Sequence, residues 1–204
     1  MIKQLVNIIQ GLMRGTRAIT VQPYTEANVK SGVQFYTRRG FSGASVPGET
    51  GGAFGSTGER RLLYFEIGDT KVIVKDRVVK YIGEEFELRL YNATGLATPT
   101  KAGQVAVSNY RADGLGKATN VTVHEVLEGD EGPMGTQIAD GERYFGSTSQ
   151  GQRNPDSILE GRERVLPANS QFYVEIEMTA GSSGRFEYFL DWYEGDPDLP
   201  LKEF

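Results

Sequence analysis

The chain has 204 residues, no cysteine and a formal net charge of −5. The length suits one domain, and the missing cysteines exclude disulfides and thiolate metal sites within this sequence. The acidic balance argues against nucleic acid as a partner, because no broad cationic field would attract phosphates. No apolar run approaches the ~20 residues that a membrane helix needs, so a membrane partner is not expected either.

The first 17 residues predict a short amphipathic helix or arm. Its apolar residues recur at steps of three and four, the spacing of one helix face: Ile2, Leu5, Ile9 and Leu12. Polar residues interrupt this run, which a signal peptide would not allow. Two interpretations stay open: the helix packs on its own domain, or it docks on a neighbouring subunit. On the second interpretation the four apolar residues form part of an interface.

From residue 18 onward the apolar period changes from 3.6 to 2, which predicts strands. The first two fall at residues 18–22 and 32–40, and the second places Val33, Phe35 and Thr37 on one face. Residues 40–60 are dense in Gly, Ser and Thr. They predict a long exposed loop, because such a segment buries little apolar surface.

The middle of the chain predicts a series of alternating strands. Clear apolar stripes occur at Leu63, Phe65 and Ile67, and again at Phe86, Leu88 and Leu90. Residues 104–111 and 120–129 follow as strands, and residues 129–156 predict a second polar loop region.

The stretch QFYVEIEMTAGSSGRFEYFLDWYE, residues 171–194, predicts a closing β-hairpin. Each strand carries an apolar stripe: Phe172, Val174, Ile176 and Met178 on the first, and Phe186, Tyr188, Leu190 and Trp192 on the second. We expect the matched alternation to fix the pairing register. The opposite face would expose Tyr173, Phe189 and Tyr193, a set that we interpret as an interface. Residues 196–204 predict an extended tail.

The pattern as a whole predicts an all-β fold: a jelly-roll-like β-sandwich of about nine or ten strands over residues 18–195. We find no candidate catalytic, metal-binding or cofactor-binding residues. His124 is the only histidine, too few for a metal site. Glu175 and Glu177 share a strand face opposite Glu187 and Asp191, as glycosidase carboxylates could. An ordinary solvated face explains these four acids better. Acidic turns at residues 128–132 and 194–198 lack the EF-hand spacing and are interpreted as surface turns.

Residues 165–194 resemble the C-terminal end of a group of tailed-bacteriophage virion proteins. The resemblance rests on a Leu-Pro-x-Asn lead, a tyrosine in the strand and a Trp-Tyr-Glu ending: Leu166, Pro167, Asn169, Tyr173, Trp192, Tyr193 and Glu194. Further upstream, Asn109 and Arg111 fit an Asn-before-Arg element imperfectly. The similarity covers about residues 30–195. It implies a jelly-roll-like virion protein, commonly oligomeric, that decorates a capsid or fits a neck or tail.

We therefore expect a non-enzymatic structural protein of a bacteriophage virion, with a capsid decoration or cement protein as the first interpretation. Its partners would be the major capsid protein or other virion proteins. It would be a homo-oligomer, with a trimer as the first expectation, and it would reside in the virion after assembly in the host cytoplasm. The alternative is a neck, tail or fibre component with a carbohydrate- or receptor-binding β-sandwich. A glycan-degrading enzyme is the third possibility.

Overall fold

The computed structural model of the chain describes residues 33–41, 54–82, 85–110, 116–138, 142–145, 151–153 and 164–195. The predicted N-terminal helix with Ile2, Leu5, Ile9 and Leu12 lies outside the described residues, as do the predicted strand at residues 18–22 and the tail at 196–204. The described part contains strands and turns and no helix. Accordingly, it contains no helix that is long and apolar enough to cross a membrane.

The described residues form thirteen strands, which confirms the all-β prediction. The number exceeds the nine or ten expected, because several strands are only two to five residues long. In chain order they are β1 (Gln34–Phe41), β2 (Arg60–Ile67), β3 (Val72–Ile82), β4 (Glu85–Asn92), β5 (Lys101–Val105), β6 (Val107–Asn109), β7 (Val121–Val126), β8 (Thr136–Gln137), β9 (Glu142–Phe145), β10 (Gly151–Arg153), β11 (Arg164–Leu166), β12 (Gln171–Ala180) and β13 (Arg185–Glu194).

The strands build two antiparallel sheets. The first has the order β10-β3-β13-β1-β6, with β11 also paired to β3. The second has the order β5-β7-β2-β12-β4-β8, with β9 also paired to β4. Within each sheet, every described pair of neighbouring strands is antiparallel, as expected for a sandwich in which one face of each sheet is toward the core.

The pairing is nested from the ends of the chain toward its middle. Strand β1 pairs with β13, β2 with β12, β3 with β10, and β4 with β9. A long antiparallel hairpin wound into two sheets has this order, which is the jelly roll with its two Greek keys. Strands β5 to β7 are inserted between β4 and β8. Strands β7 and β5 extend the second sheet beyond β2, and β6 extends the first sheet beyond β1.

Both strands of the predicted closing hairpin form, but the prediction that they pair with each other is wrong. Strand β12 lies between β2 and β4 in the second sheet, whereas β13 lies between β1 and β3 in the first. The intervening turn therefore carries the chain from one sheet to the other. Both apolar stripes are buried in one core cluster between the sheets, so the two strands stack their side chains across the sandwich instead of sharing backbone hydrogen bonds.

The core between the sheets is rich in aromatic side chains. Phe86 contacts Phe54 and Phe186 with ring centroids 5.1 and 5.2 Å apart, and Phe35 stacks on Trp192 at 6.3 Å. The apolar stripes predicted around Leu63 and Phe86 enter this cluster. Full burial of each such side chain contributes about 1.5–3 kcal/mol, so this core supplies the main stabilisation.

Candidate interaction surface

The structure separates the three aromatic residues that the sequence placed together on one exposed face. Tyr173 is on the second sheet, while Phe189 and Tyr193 are on the first. Of the three, only Phe189 is partly open to solvent; Tyr173 is 0% exposed and Tyr193 is 3% exposed. The predicted exposed set is therefore wrong for two of its members.

Tyr173 is buried because the chain after β7 crosses its face of the sheet. Its ring lies 4.9 Å from the ring of Tyr64, and its hydroxyl donates to the backbone carbonyl of Glu131 at 2.5 Å. Burial raises the pKa of Tyr173 to about 12, with further contributions from Tyr64 and Glu131. The residue therefore serves the fold of this chain and is not available to a neighbour.

Tyr193 is buried on the first sheet between two other buried residues. Its cross-strand partners are Gln34 on β1 and Ile73 on β3. The ammonium group of Lys75 lies 5.4 Å from the centre of its ring, within the range of a cation–π contact. Tyr193 therefore anchors three strands and is not part of an open surface.

Phe189 belongs to a row of three aromatic rings on the outer face of the first sheet. Its ring stacks on Tyr36 of β1 at 5.9 Å, and Tyr36 contacts Tyr110, just after β6, at 4.8 Å. Phe189 and Tyr36 are half-buried, and Tyr110 is 37% exposed. The row spans three neighbouring strands and is partly open to solvent.

Polar groups flank the aromatic row on one side. The side-chain amide of Gln34 donates to both carboxylate oxygens of Asp191, at 3.1 and 3.2 Å, and the hydroxyl of Tyr110 donates to Asp191 at 3.3 Å. Gln34 is buried, and its amide oxygen has no hydrogen-bond partner within the described part of the chain. Aromatic side chains are enriched in the cores of protein interfaces, and polar groups are typical of the surrounding rim. We call the three rings of Tyr36, Tyr110 and Phe189 the aromatic row, which Gln34 and Asp191 flank.

Sequence reasoning found Phe189 but missed Tyr36 and Tyr110. Tyr36 alternates with the inward residues Phe35 and Thr37, so the sequence pattern predicts that its side chain points outward. The pattern does not predict that β6 and β13 flank β1, because long stretches of sequence separate these strands.

The second sheet carries a network of charged side chains on its outer face, and this corrects the prediction of a solvated face. Glu175 is 2% exposed. It accepts hydrogen bonds from Arg60 at 3.1 Å, from Arg89 at 3.0 Å and from the hydroxyl of Tyr91 at 3.0 Å. Arg89 also binds Glu177 at 2.6 Å. Both oxygens of Glu175 are thus engaged with the protein itself, which suits a structural role.

His124 is a half-buried strand residue on the same sheet. Its Nε2 lies 3.6 Å from a carboxylate oxygen of Glu66. Burial lowers the pKa of His124, and the nearby Lys101 lowers it further, while Glu66 acts in the opposite direction. Among the residues that the structure describes, no cluster of three or more His, Asp or Glu side chains could hold a metal ion.

The residues that carry the sequence resemblance have structural contacts. Trp192 is 1% exposed in the core, and its indole NH donates to Glu194 at 3.4 Å. Glu194 also accepts from the backbone NH of Asn120 at 2.9 and 3.0 Å, so the end of β13 is tied to the start of β7 in the other sheet. Asn169 adopts a left-handed conformation with φ 55° in the turn before β12. These residues close the sandwich.

No known protein family matches the sequence, and no curated protein is similar to it. Among solved structures, the chain is similar to one described as the structure of a marine algae virus of the order Picornavirales. The sequence identity is 8%, the match covers 98% of this chain and 90% of that chain, and the TM-score is 0.23. So low a TM-score does not show a shared fold. The strand pairing described above is what defines the jelly roll.

Proposed function

We propose that this chain is a structural protein of a virus particle, and specifically a decoration or cement protein that strengthens a bacteriophage capsid. The observation that carries the proposal is the aromatic row on the outer face of the first sheet. It combines three partly open rings with a flanking carboxylate on a rigid two-sheet scaffold. The sequence resemblance of residues 30–195 to tailed-bacteriophage virion proteins supports the same role.

The physical reasoning concerns how a shell is strengthened. A decoration protein adds buried interface at the joints between capsid subunits, and many weak contacts on one particle act together. Aromatic residues at the centre of such an interface contribute most of the binding energy. The wound jelly roll supplies rigidity, so the row needs little reorganisation on docking.

Self-association into a homo-oligomer is part of this proposal. Tyr173 and Tyr193 are buried within the chain and cannot contribute to a contact between subunits. The aromatic row is therefore the surface through which a trimer would form. Sedimentation of the purified protein at micromolar concentration measures this directly.

The test of docking is cosedimentation of the purified protein with virus particles that lack it. Phe189→Ala and Tyr110→Ala should each weaken binding at least about tenfold, because a central aromatic contributes about 2 kcal/mol or more. Leu96→Ala is the matched control: Leu96 is an apolar residue with similar exposure, 40%, and lies away from the row. Equal binding by all four proteins would reject this surface.

A second candidate function is favoured by the polar side of the same row. Carboxylate and amide groups beside partly open rings suit a sugar, whose hydroxyl groups donate hydrogen bonds while its apolar face stacks on an aromatic ring. The alternative is therefore a carbohydrate-binding component of a neck, tail or fibre. Binding of host surface polysaccharide that Asp191→Asn abolishes, without binding to the capsid, would favour it.

A further inference from the structure

The outer face of the second sheet carries a small apolar cluster of its own, separate from the main core. Its buried members are Leu62, Tyr64, Ala93, Val126 and Tyr173. An outer sheet face of a sandwich usually meets water, so this cluster needs a cover. Residues 127–135, which we call the strap, supply part of it: Met134 packs against the cluster, and the carbonyl of Glu131 accepts the hydrogen bond of Tyr173.

One arginine joins the strap to the sheet beneath. Arg60 of β2 binds Glu131 at 2.8 Å and Glu128 at 3.1 Å, while the same guanidinium binds Glu175 at 3.1 Å. The other carboxylate oxygen of Glu131 accepts from the backbone NH of Gly129 at 2.5 Å. Glu131 therefore stabilises the turn of the strap through Gly129 and also attaches the strap to β2 through Arg60.

The strap has glycine at three positions where the backbone is left-handed. Gly129, Gly132 and Gly135 have φ values of 95°, 59° and 86°. Gly135 also passes so close to β4 that a Cβ on it would lie 2.0 Å from the backbone oxygen of Asn92. Glycine permits such backbone conformations at no steric cost, and it makes the segments between them easy to reorient.

We propose that the strap lifts from the second sheet as a unit while the sandwich stays folded, and that the Arg60–Glu131 ion pair is its latch. The strands beneath are held by hydrogen-bond ladders on both sides: β2 between β7 and β12, and β12 between β2 and β4. The strap is held by side-chain contacts and by single hydrogen bonds such as Thr100 NH to Asp130 O at 3.2 Å. Segments fastened in this way open at lower free energy than the core.

Opening of the strap has a defined consequence. It uncovers Tyr173, whose hydroxyl the strap holds through the carbonyl of Glu131 and whose ring lies 4.9 Å from that of Tyr64. Access to Tyr173 thus becomes conditional on the attachment of the strap to Arg60, whose guanidinium binds both Glu131 and Glu128. This device is independent of the aromatic row on the first sheet, so the failure of either proposal leaves the other standing.

Amide hydrogen exchange on the full-length chain tests the latch. Glu131→Gln should speed exchange in residues 127–135 by roughly tenfold or more, the effect of weakening a charged hydrogen bond, while β2 and β12 keep their rates. Glu59→Gln is the matched control. Glu59 also binds an arginine of β2, Arg61, and a glycine backbone NH, that of Gly55, but it lies outside the strap.

Tetranitromethane provides a second readout, since it modifies accessible tyrosines. Nitration of Tyr173 should be faster in the Glu131→Gln variant than in the wild type and unchanged in Glu59→Gln. Unchanged strap exchange in Glu131→Gln, or exchange of strap and strands together in the wild type, would overturn the proposal. If Glu131→Gln does not fold, wild-type protein in 1 M salt replaces it. Screening the pair should speed exchange in the strap alone, and salt-independent exchange would equally refute the latch.

Discussion

Arg89 and Glu175 face each other directly across strands β4 and β12, with Arg89 Nη1 3.0 Å from Glu175 Oε2. Burial alone would lower the pKa of Arg89, but its hydrogen bonds to Glu177, Glu175 and Glu87 outweigh that effect and raise it. Arg60 completes the arrangement from β2, on the other side of Glu175. A carboxylate held by two guanidinium groups in this way is part of the framework of the sheet.

Glu175→Gln should therefore destabilise the protein by about 2–4 kcal/mol, because it leaves two partly buried cations short of a charged partner. Chemical denaturation followed by far-UV circular dichroism measures the loss. Glu177→Gln is the control. Glu177 lies two residues away on the same strand with a side chain 23% exposed, so its loss should stay below about 1 kcal/mol. Equal effects of the two changes would show that Glu175 is no more important than a surface acid.

Gly135→Ala should cost far more than Gly129→Ala. Both glycines have positive φ, so each alanine brings backbone strain of about 1–2 kcal/mol. At Gly129 an added Cβ meets nothing within 4 Å, whereas at Gly135 it would collide with the backbone of Asn92. Thermal unfolding of the two variants provides the comparison. Similar melting temperatures would mean that the strap does not approach β4 as described.

The phenol of Tyr173 should titrate near pH 12, above the ordinary range of tyrosine, because burial raises its pKa. Its folded pKa exceeds the unfolded value, so its contribution to stability is complete below about pH 10 and is lost as the pH rises toward 12. Difference absorbance near 295 nm follows the titration. Subtracting the curve of Tyr173→Phe isolates this one phenol. A midpoint near 10 would mean that the strap does not bury it.

Deletion of residues 1–15 separates the two interpretations of the predicted N-terminal helix, which lies outside the described residues. If the helix is a docking arm, the shortened protein should keep its melting temperature but bind particles more weakly. If it packs on its own domain, the melting temperature should fall sharply. Calorimetry and cosedimentation on the same preparation distinguish these outcomes. No change in either would exclude both interpretations.

Alternating hydrophobicity was enough to predict which side chains face the core, but not which strands pair. Phe172 and Phe186 were both correctly placed inward. However, a hairpin within one sheet and an arch between two sheets have the same strand–turn–strand pattern, because each needs one apolar face per strand. Only the partners of β12 and β13, which are distant in sequence, decide between them.

Glu175 shows the same limit for the surface. Its alternation with apolar residues indicated an outward direction, and it does lie on the outer face of its sheet. Its burial depends on Arg60, which is 115 residues away, and on the strap that Arg60 holds. Contacts between residues so distant in sequence cannot be predicted from the local hydrophobic pattern. The contact between Tyr36 and Phe189 in the aromatic row was not predicted for the same reason.

The most direct test of the proposed role is the copy number of this chain in purified virus particles, measured by quantitative mass spectrometry against the major capsid protein. We predict that the chain is present in fixed proportion to the capsid subunits, and that this proportion falls in particles carrying Phe189→Ala but not Leu96→Ala. A copy number matching a single neck, tail or fibre assembly would instead favour the carbohydrate-binding alternative. Absence of the chain from intact particles would contradict a structural role in the virion altogether.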